Sequence, residues 1–371
     1  MKTECSVKVA LFVPALGGGG AQRVMSILAS GLSDKNVQVD LVLANAAGPY
    51  LRDIPSQVNV VDLKAGRILT SIHRLVFYLL KEKPSVMLST VAHANVAALF
   101  AKRISGVSTK LLIRVENTIS VATADENGLM SKILKYLIKK SYPWADGIVA
   151  PSQGVADDLI HKFNISGDLI SVIYNPVVRP EIIQKAKMQV NHPWFEGGEE
   201  PVIISVGRLT RQKDYATLIQ ALSIVRKQQP ARLIILGEGE DRNDLKNIIV
   251  KLKLEDYVDL AGFVDNPYAY MAKSDVFVLS SLWEGLPNTL IEAMAVGLPV
   301  VATDCRSGPN EILANGKYGW LSQTGSAISI ADGILQALTS DTFPMPDKES
   351  MKLFQRNTSV DKYLKLLLAA S

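Results

Sequence analysis

The segment Val202-Ile-Ile-Ser-Val-Gly-Arg-Leu-Thr-Arg-Gln-Lys-Asp214 decides the fold. Five apolar or small residues run into a glycine, a short loop rich in cations follows, and an apolar-periodic stretch begins at Tyr215. That is a buried strand, a turn and a helix. The same unit recurs downstream, with strand signals at 232–236, 258–261, 276–279 and 299–302 and helix signals at 215–228, 242–252 and 289–296. Strands apolar on both faces and separated by helices make a parallel sheet of βαβ units. Upstream, runs at 7–13, 37–44, 86–90, 110–115, 147–150 and 169–173 predict a first sheet of the same kind. Tyr174-Asn-Pro-Val-Val-Arg-Pro180 breaks the first alternation, and a polar stretch with Pro193, Gly197, Gly198 and Pro201 precedes the second. The expected organisation is a first α/β domain (1–175), a linker (176–200), a second (201–347) and a terminal helix (348–371). The apolar members of that helix are Phe354, Tyr363, Leu364, Leu366, Leu367 and Leu368. With no strand after it, it caps the second domain or crosses back onto the first.

Bulk properties agree. The 371 residues suffice for two domains, and 48% hydrophobic with 20% charged residues is an ordinary globular balance. Cys5 and Cys305 stand 300 positions apart with no CxxC pair, which argues against a disulfide framework or a thiolate zinc site and for a reducing compartment. Lys8 interrupts the first apolar stretch, so it reads as a strand and not a signal peptide. No apolar run reaches the roughly 18 residues of a bilayer span. A soluble or peripheral cytoplasmic protein is expected. The net charge of +4 is uneven: residues 1–195 hold 22 Lys and Arg against 14 Asp and Glu, residues 196–371 hold 18 against 22. A basic half suits a phosphorylated or anionic partner.

Two loops have the makings of phosphate sites. In Pro14-Ala-Leu-Gly-Gly-Gly-Gly-Ala-Gln-Arg23, glycines between a strand and a helix let backbone approach an anion, which the helix start near Ala21 attracts. A dinucleotide fingerprint does not fit: the third glycine position is Gln22 or Arg23, and Asp40 falls inside the second strand rather than at its end. After the strand 202–206, Gly207 is followed by Arg208 and Lys213. They stand at the carboxyl end of the strand, where open α/β sheets bind ligands, and one guanidinium with one ammonium suits a diphosphate.

The richest segment is Ser280-Ser-Leu-Trp-Glu-Gly-Leu-Pro-Asn-Thr-Leu-Ile-Glu292. Glu284 lies in a turn after a strand, and Glu292 follows about two helical turns later, so both are expected at one cleft. Carboxylates accept hydrogen bonds from vicinal hydroxyls, and such a pair holds two polyols, such as a ribose and a hexose. The N–H groups of Asn288, Thr289 and Leu290 at the helix start are expected to bind phosphate.

The spacing Glu284-x7-Glu292, preceded by Gly207-Arg208-Leu209 with Lys213 and by the Gly17–Arg23 loop, resembles the retaining glycosyltransferases of family 4. So do Leu236-Gly-Glu-Gly239, Ala261-Gly-Phe-Val264 and Ser307-Gly-Pro-Asn-Glu-Ile312. The resemblance spans almost the whole chain and is greatest to bacterial enzymes of surface polysaccharide or lipid-linked oligosaccharide synthesis. It implies the GT-B fold: two doubly wound, Rossmann-like domains with an interdomain cleft. It implies transfer of a hexose or N-acetylhexosamine from a nucleotide diphosphate sugar, with UDP preferred over GDP and the choice between them left open. Arg208 and Lys213 then neutralise the leaving diphosphate, Glu292 holds ribose and Glu284 the sugar. Phe263 and Val264 line the base, Gly207, Gly285 and Leu286 border the donor with Asn288, Thr289 and Leu290, and Gly18, Gly19 and Gly20 approach a phosphate or the acceptor.

No cofactor and no metal are expected, for the fold works without one and no D-x-D motif is present; the run Glu238-Gly-Glu-Asp241 falls in a glycine-rich turn. Many relatives carry a His after the strand at 110–115, where this chain has Arg114-Val-Glu-Asn117. Glu116 or Asn117 stands in that place, and His93 is the alternative near the sugar. In the stretch from Leu129 to Trp144, the residues Leu129, Met130, Ile133, Leu134, Leu137 and Ile138 are expected on one helix face, with Lys132, Lys135, Lys139 and Lys140 elsewhere. That pattern fits either a core helix or contact with an anionic inner-membrane surface, and with the latter a glycan or polyprenyl-diphosphate-linked acceptor. UDP-sugar 2-epimerases of the same architecture and a non-catalytic sugar-binding protein remain as alternatives; no module for nucleic acid accompanies the basic half.

Overall fold

The computed structural model describes residues 7–66, 68–122, 128–197 and 200–370; Cys5 and Gly198 lie outside them. The chain forms two compact units, one running to Pro176 and resumed from Leu353, the other from Val177 to Lys352.

The first unit holds β1 (Lys8–Val13), β2 (Gln38–Leu43), β3 (Asn59–Asp62), β4 (Val86–Thr90), β5 (Lys110–Arg114), β6 (Gly147–Ala150) and β7 (Ile170–Val172). They pair in the order β3-β2-β1-β4-β5-β6-β7, every pair parallel. Val9, Leu11 and Val13 of β1 point into one buried cluster, and Ala10 and Phe12 into another on the opposite face. A sheet covered on both faces explains why its strands read as unbroken apolar runs. The second unit holds β8 (Val202–Val206), β9 (Arg232–Leu236), β10 (Val258–Gly262), β11 (Val276–Leu279), β12 (Val300–Thr303) and β13 (Trp320–Ser322). Their order is β10-β9-β8-β11-β12-β13, again all parallel. Both sheets are doubly wound, as expected, and each reverses direction once, between β1 and β4 and between β8 and β11. Such a reversal opens a crevice at the carboxyl ends of the two strands, where ligands bind in open α/β sheets.

Two short edge strands, β3 and β13, escaped the sequence reading. β3 is largely exposed, so Asn-Val-Val-Asp has no apolar run to betray it. Part of the stretch read as linker is ordered within the second unit: helix Pro180–Ala186 packs on helix Pro267–Lys273, and Asn266 Nδ2 donates to the Lys185 carbonyl at 2.9 Å. Asp40, weighed above as a ribose acid, is buried in mid-strand. There it accepts from Tyr78 Oη at 2.6 Å and Asn59 Nδ2 at 2.9 Å and pairs with Lys8 at 3.0 Å, a structural polar cluster.

The last helix, Arg356–Ala370, lies on helix Gly20–Ser33 of the first unit. Val360, Tyr363 and Leu367, spaced i, i+3 and i+7, are fully buried in its core cluster. Arg356 Nη2 donates to Ser30 Oγ at 2.9 Å and meets Asp34 at 2.6 Å, and Lys35 pairs with Asp361 at 2.8 Å.

Candidate functional site

The second unit's crevice is built from three loops. After β8, the amide of Gly207 donates to Leu236 O at 3.0 Å and that of Leu209 to Glu238 O at 3.0 Å, which ties the cation loop to the end of β9. Gly237, at φ +145°, makes this possible: a Cβ there would stand 1.9 Å from the Gly207 carbonyl oxygen. Asp214 then caps helix Tyr215–Val225 by accepting from the Thr217 amide at 3.4 Å, and so sets the residue before it, Lys213.

Lys213 meets Glu284 there. The ammonium lies 2.5 Å from Glu284 Oε1, which also accepts from Ser281 Oγ at 2.7 Å. Glu284 is 6% exposed, so this is a buried carboxylate matched by a cation, the arrangement that desolvation demands. The loop itself is fastened on both sides: Ser280 Oγ donates to Lys213 O at 2.7 Å, Gln212 Nε2 to Trp283 O at 2.9 Å and Ser307 Oγ to Gly285 O at 2.9 Å. Gly308, at φ +93°, lets the 305–312 loop press on Pro287. Beneath it lies Cys305, a buried thiol that desolvation and the neighbouring Glu284 push up to about 12.

Arg208 is exposed at the crevice; its carbonyl accepts from the Thr210 amide at 2.9 Å, but its guanidinium makes no hydrogen bond or ion pair among the described residues. Its guanidinium is available to an anion. Gly285 and Leu286 are buried in the turn leading to helix Asn288–Ala295. The Leu290 amide, expected to face phosphate, donates to Pro287 O at 3.2 Å, because the first turn closes on itself. Thr289 Oγ1 is buried at this helix start with no hydrogen-bond partner among the described residues. Glu292 is 3% exposed and accepts from the buried Tyr268 Oη at 3.1 Å. Phe263 is 60% exposed just past β10, with Val264 half-buried beside it. The second unit therefore gathers Gly207, Arg208 and Lys213 on the loop after β8, and Glu284, Gly285, Leu286, Asn288, Thr289, Leu290 and Glu292 on the loop and helix after β11.

The first unit's crevice is made of other material. Gly18 and Gly19 lead into helix Gly20–Ser33, which starts one residue earlier than Ala21, with Gly19 as its N-cap and no side-chain cap. Tyr50 Oη donates to Gly18 O at 3.4 Å. Across the switch point, β4 is followed by Val91, the N-cap of the next helix, which holds φ +76°, a strained value for a β-branched residue. Its amide donates to Glu116 Oε2 at 3.3 Å, and Asn95 Nδ2 to Arg114 O at 2.9 Å, so helix Ala92–Ser105 is tied to the end of β5. Burial pushes the Glu116 carboxyl above the usual carboxylate range against the opposing pull of Arg114. Arg114 is itself fully buried, donating to Asn175 Oδ1 at 2.7 Å and Thr90 Oγ1 at 3.3 Å. His93 is exposed on the first turn of the helix and Asn117 is half-buried after β5.

Two participants had no sequence signal, Ser281 and Tyr268, ordinary side chains until folding sets them on a carboxylate; the contact of Gly308 with Pro287 was likewise not readable from the Ser307–Ile312 stretch. Helix Leu129–Ser141 differs from expectation too. Ile138 is buried and Leu134 and Leu137 pack on the core, but Leu129 (73%), Met130 (72%) and Tyr136 (62%) are exposed with Ile133. The apolar residues thus serve two faces, and the outer one is flanked by lysines. Among the described residues no helix is long and apolar enough to cross a membrane, and no group of three His, Cys, Asp or Glu is placed to hold a metal.

Comparison with known proteins adds to this geometry. Residues 18–179 match the description Glycosyltransferase Family 4, and residues 190–357 match Glycosyl transferases group 1. The chain is 34% identical over 355 residues, 93% of its length and 94% of the relative's, to a Campylobacter jejuni enzyme, N-acetylgalactosamine-N,N'-diacetylbacillosaminyl-diphospho-undecaprenol 4-alpha-N-acetylgalactosaminyltransferase. It is 28% identical to an amylovoran biosynthesis glycosyltransferase of Erwinia amylovora, covering 81% of each chain. The structure of Anabaena HepE in complex with UDP and glucose superposes with a TM-score of 0.76 at 20% identity, over 98% of this chain and 100% of the other.

Proposed function

Since the chain belongs to the family 4 glycosyltransferases, we propose that it moves a hexose or N-acetylhexosamine, with retention, from a UDP-sugar to a glycan or polyprenyl-diphosphate-linked acceptor in bacterial surface polysaccharide or glycolipid synthesis. The observation that carries this reading is the pair of half-buried Lys213 and buried Glu284 at the β8/β11 switch point, with Arg208 exposed in the same loop. Lys213 and Arg208 face the diphosphate, and their charge is in place before the anomeric C–O bond breaks, so leaving-group charge is met without reorganisation. Glu284, its Oε1 fixed by Lys213 and Ser281, accepts from hydroxyls of the sugar. Glu292 does the same for the ribose, and Phe263 with Val264 lines the base. The acceptor oxygen attacks from the face the diphosphate leaves, and its proton passes to the departing phosphate oxygen. Glu116, Asn117 and His93 stand on the acceptor side.

The acceptor class is supported by the lipid-linked substrate in the name of the Campylobacter relative, and UDP by the ligands of HepE. It is supported also by the exposed stripe of Leu129, Met130, Ile133 and Tyr136 between Lys132, Lys135, Lys139 and Lys140, which suits the anionic inner face of the cytoplasmic membrane. The test is a panel of UDP- and GDP-sugars with lipid-linked acceptors. Nucleoside diphosphate release that depends on acceptor is expected. Donor turnover without acceptor points to an epimerase, binding without turnover to a sugar-binding protein, and no flotation with anionic vesicles at low salt removes the membrane surface.

A further inference from the structure

Tyr268 is the second residue of helix Pro267–Lys273, 1% exposed, and its phenol sits between two charged groups. Arg179 Nη2 donates to Tyr268 Oη at 3.3 Å, and Tyr268 Oη donates to Glu292 Oε1 at 3.1 Å. The direction of both bonds is fixed by chemistry. A guanidinium only donates, so the phenol oxygen accepts from Arg179, and its single proton is directed to the carboxylate. The three residues come from separate parts of the second unit: the N-cap of helix Pro180–Ala186, the start of helix Pro267–Lys273 and the interior of helix Asn288–Ala295. A carboxylate so held is kept as an acceptor in one orientation, and the groups that complement it are donors, namely hydroxyls rather than phosphate oxygens.

We propose that Tyr268, backed by Arg179, is a positioning residue that orients the Glu292 carboxylate toward the vicinal hydroxyls of the donor ribose, so that the enzyme selects ribonucleotide over 2′-deoxyribonucleotide donors. The inference rests on the assignment of Glu292 to the ribose. It goes beyond that assignment by naming what gives the carboxylate its selectivity.

The experiment titrates whichever of UDP and GDP binds the wild-type enzyme more tightly, and its 2′-deoxy counterpart, against wild type, Tyr268→Phe, Arg179→Met, Glu292→Gln and the Tyr268→Phe/Glu292→Gln double variant. Phenylalanine keeps the packing, and an unchanged unfolding midpoint without ligand verifies it. Tyr268→Phe is expected to weaken the ribonucleotide about tenfold, the loss of one hydrogen bond to a charged group, and to weaken the 2′-deoxy nucleotide, which keeps only the 3′-hydroxyl contact, by less. Donor KM rises with kcat held. Arg179→Met moves in the same direction by less, and the double variant is no worse than Glu292→Gln alone. If Tyr268→Phe weakens both nucleotides equally, or neither, while Glu292→Gln abolishes the ribose preference, the positioning role is wrong and the ribose assignment stands. If Glu292→Gln keeps the full preference, the ribose assignment itself falls.

Discussion

After β1 the chain sets down four glycines and an uncapped helix; after β8 it sets down one glycine, two guanidinium groups (Arg208 and Arg211), an ammonium and a helix capped by Asp214. Both loops stand at the switch point of a parallel sheet with the same strand order, so topology does not separate them. What separates them is the source of positive potential. In the first unit it comes from backbone, and in the second from side chains, of which Lys213 is held by the buried Glu284 carboxylate. A backbone site accepts any anion that fits its curve. A side-chain site has fixed charge and fixed partners, and is the more specific and the more fragile of the two.

The harshest way to break this comparison is Lys213→Ala. It removes a preorganised cation, with an expected fall in kcat of about 10²–10³-fold, and it takes the cation from the buried Glu284, at a cost to folding of about 3–5 kcal/mol. Steady-state rates and urea unfolding measure the two separately; near-normal turnover would sink the donor-site assignment. A second break comes through Leu367→Ala, which empties a fully buried position of the first unit and is expected to cost about 2–5 kcal/mol. Unfolding followed by hydrogen exchange should show the loss in the sheet of β1–β7 and leave β8–β13 unaffected.

Two glycines sharpen the contrast. Gly237→Ala puts a Cβ against the Gly207 carbonyl from a left-handed backbone, at an expected cost of about 1–3 kcal/mol, whereas a Cβ on Gly17 meets nothing within 4 Å. Thermal midpoints of the pair should differ by that much, and equal midpoints would mean that the cation loop yields as readily as the glycine loop. The smallest effect is expected at Glu116. Its carboxyl is held above its ordinary range, so ionised Glu116 costs the folded state stability at neutral pH, and the cost vanishes as pH falls below the unfolded-state value. Glu116→Gln should therefore raise the midpoint at pH 7 and lose that gain on acidification; a gain that persists in acid would show that the effect is not electrostatic.

The fold was legible because a two-sided parallel sheet writes itself as apolar runs: β4, β6, β8, β9 and β11 start and stop where those runs do. β3 was not, since an exposed edge strand has no burial to record. In the site, Arg208, Lys213, Glu284 and Glu292 were legible because charge at a strand end is conspicuous and their spacing resembles a known pattern. Ser281, Tyr268 and Gly308 were not. Their part is defined by a partner brought close by topology, and nothing in a hydroxyl or a glycine by itself says which carboxylate or proline it will meet. Helix Leu129–Ser141 shows the limit of periodicity: the apolar count was right, but a single face was inferred where burial divides the residues between two.

The helix Arg356–Ala370 gives the chain an order of events. A ribosome finishes β1–β7 long before it makes Val360, Tyr363 and Leu367, and at 5–20 residues per second the wait is roughly 10–40 s. Throughout it, helix Gly20–Ser33 has an apolar flank that its eventual cover has not reached, while the whole of β8–β13 is being synthesised and is free to fold. The unit made earlier is thus the unit completed later, and until its cover arrives the bare flank of helix Gly20–Ser33 leaves the nascent chain open to aggregation.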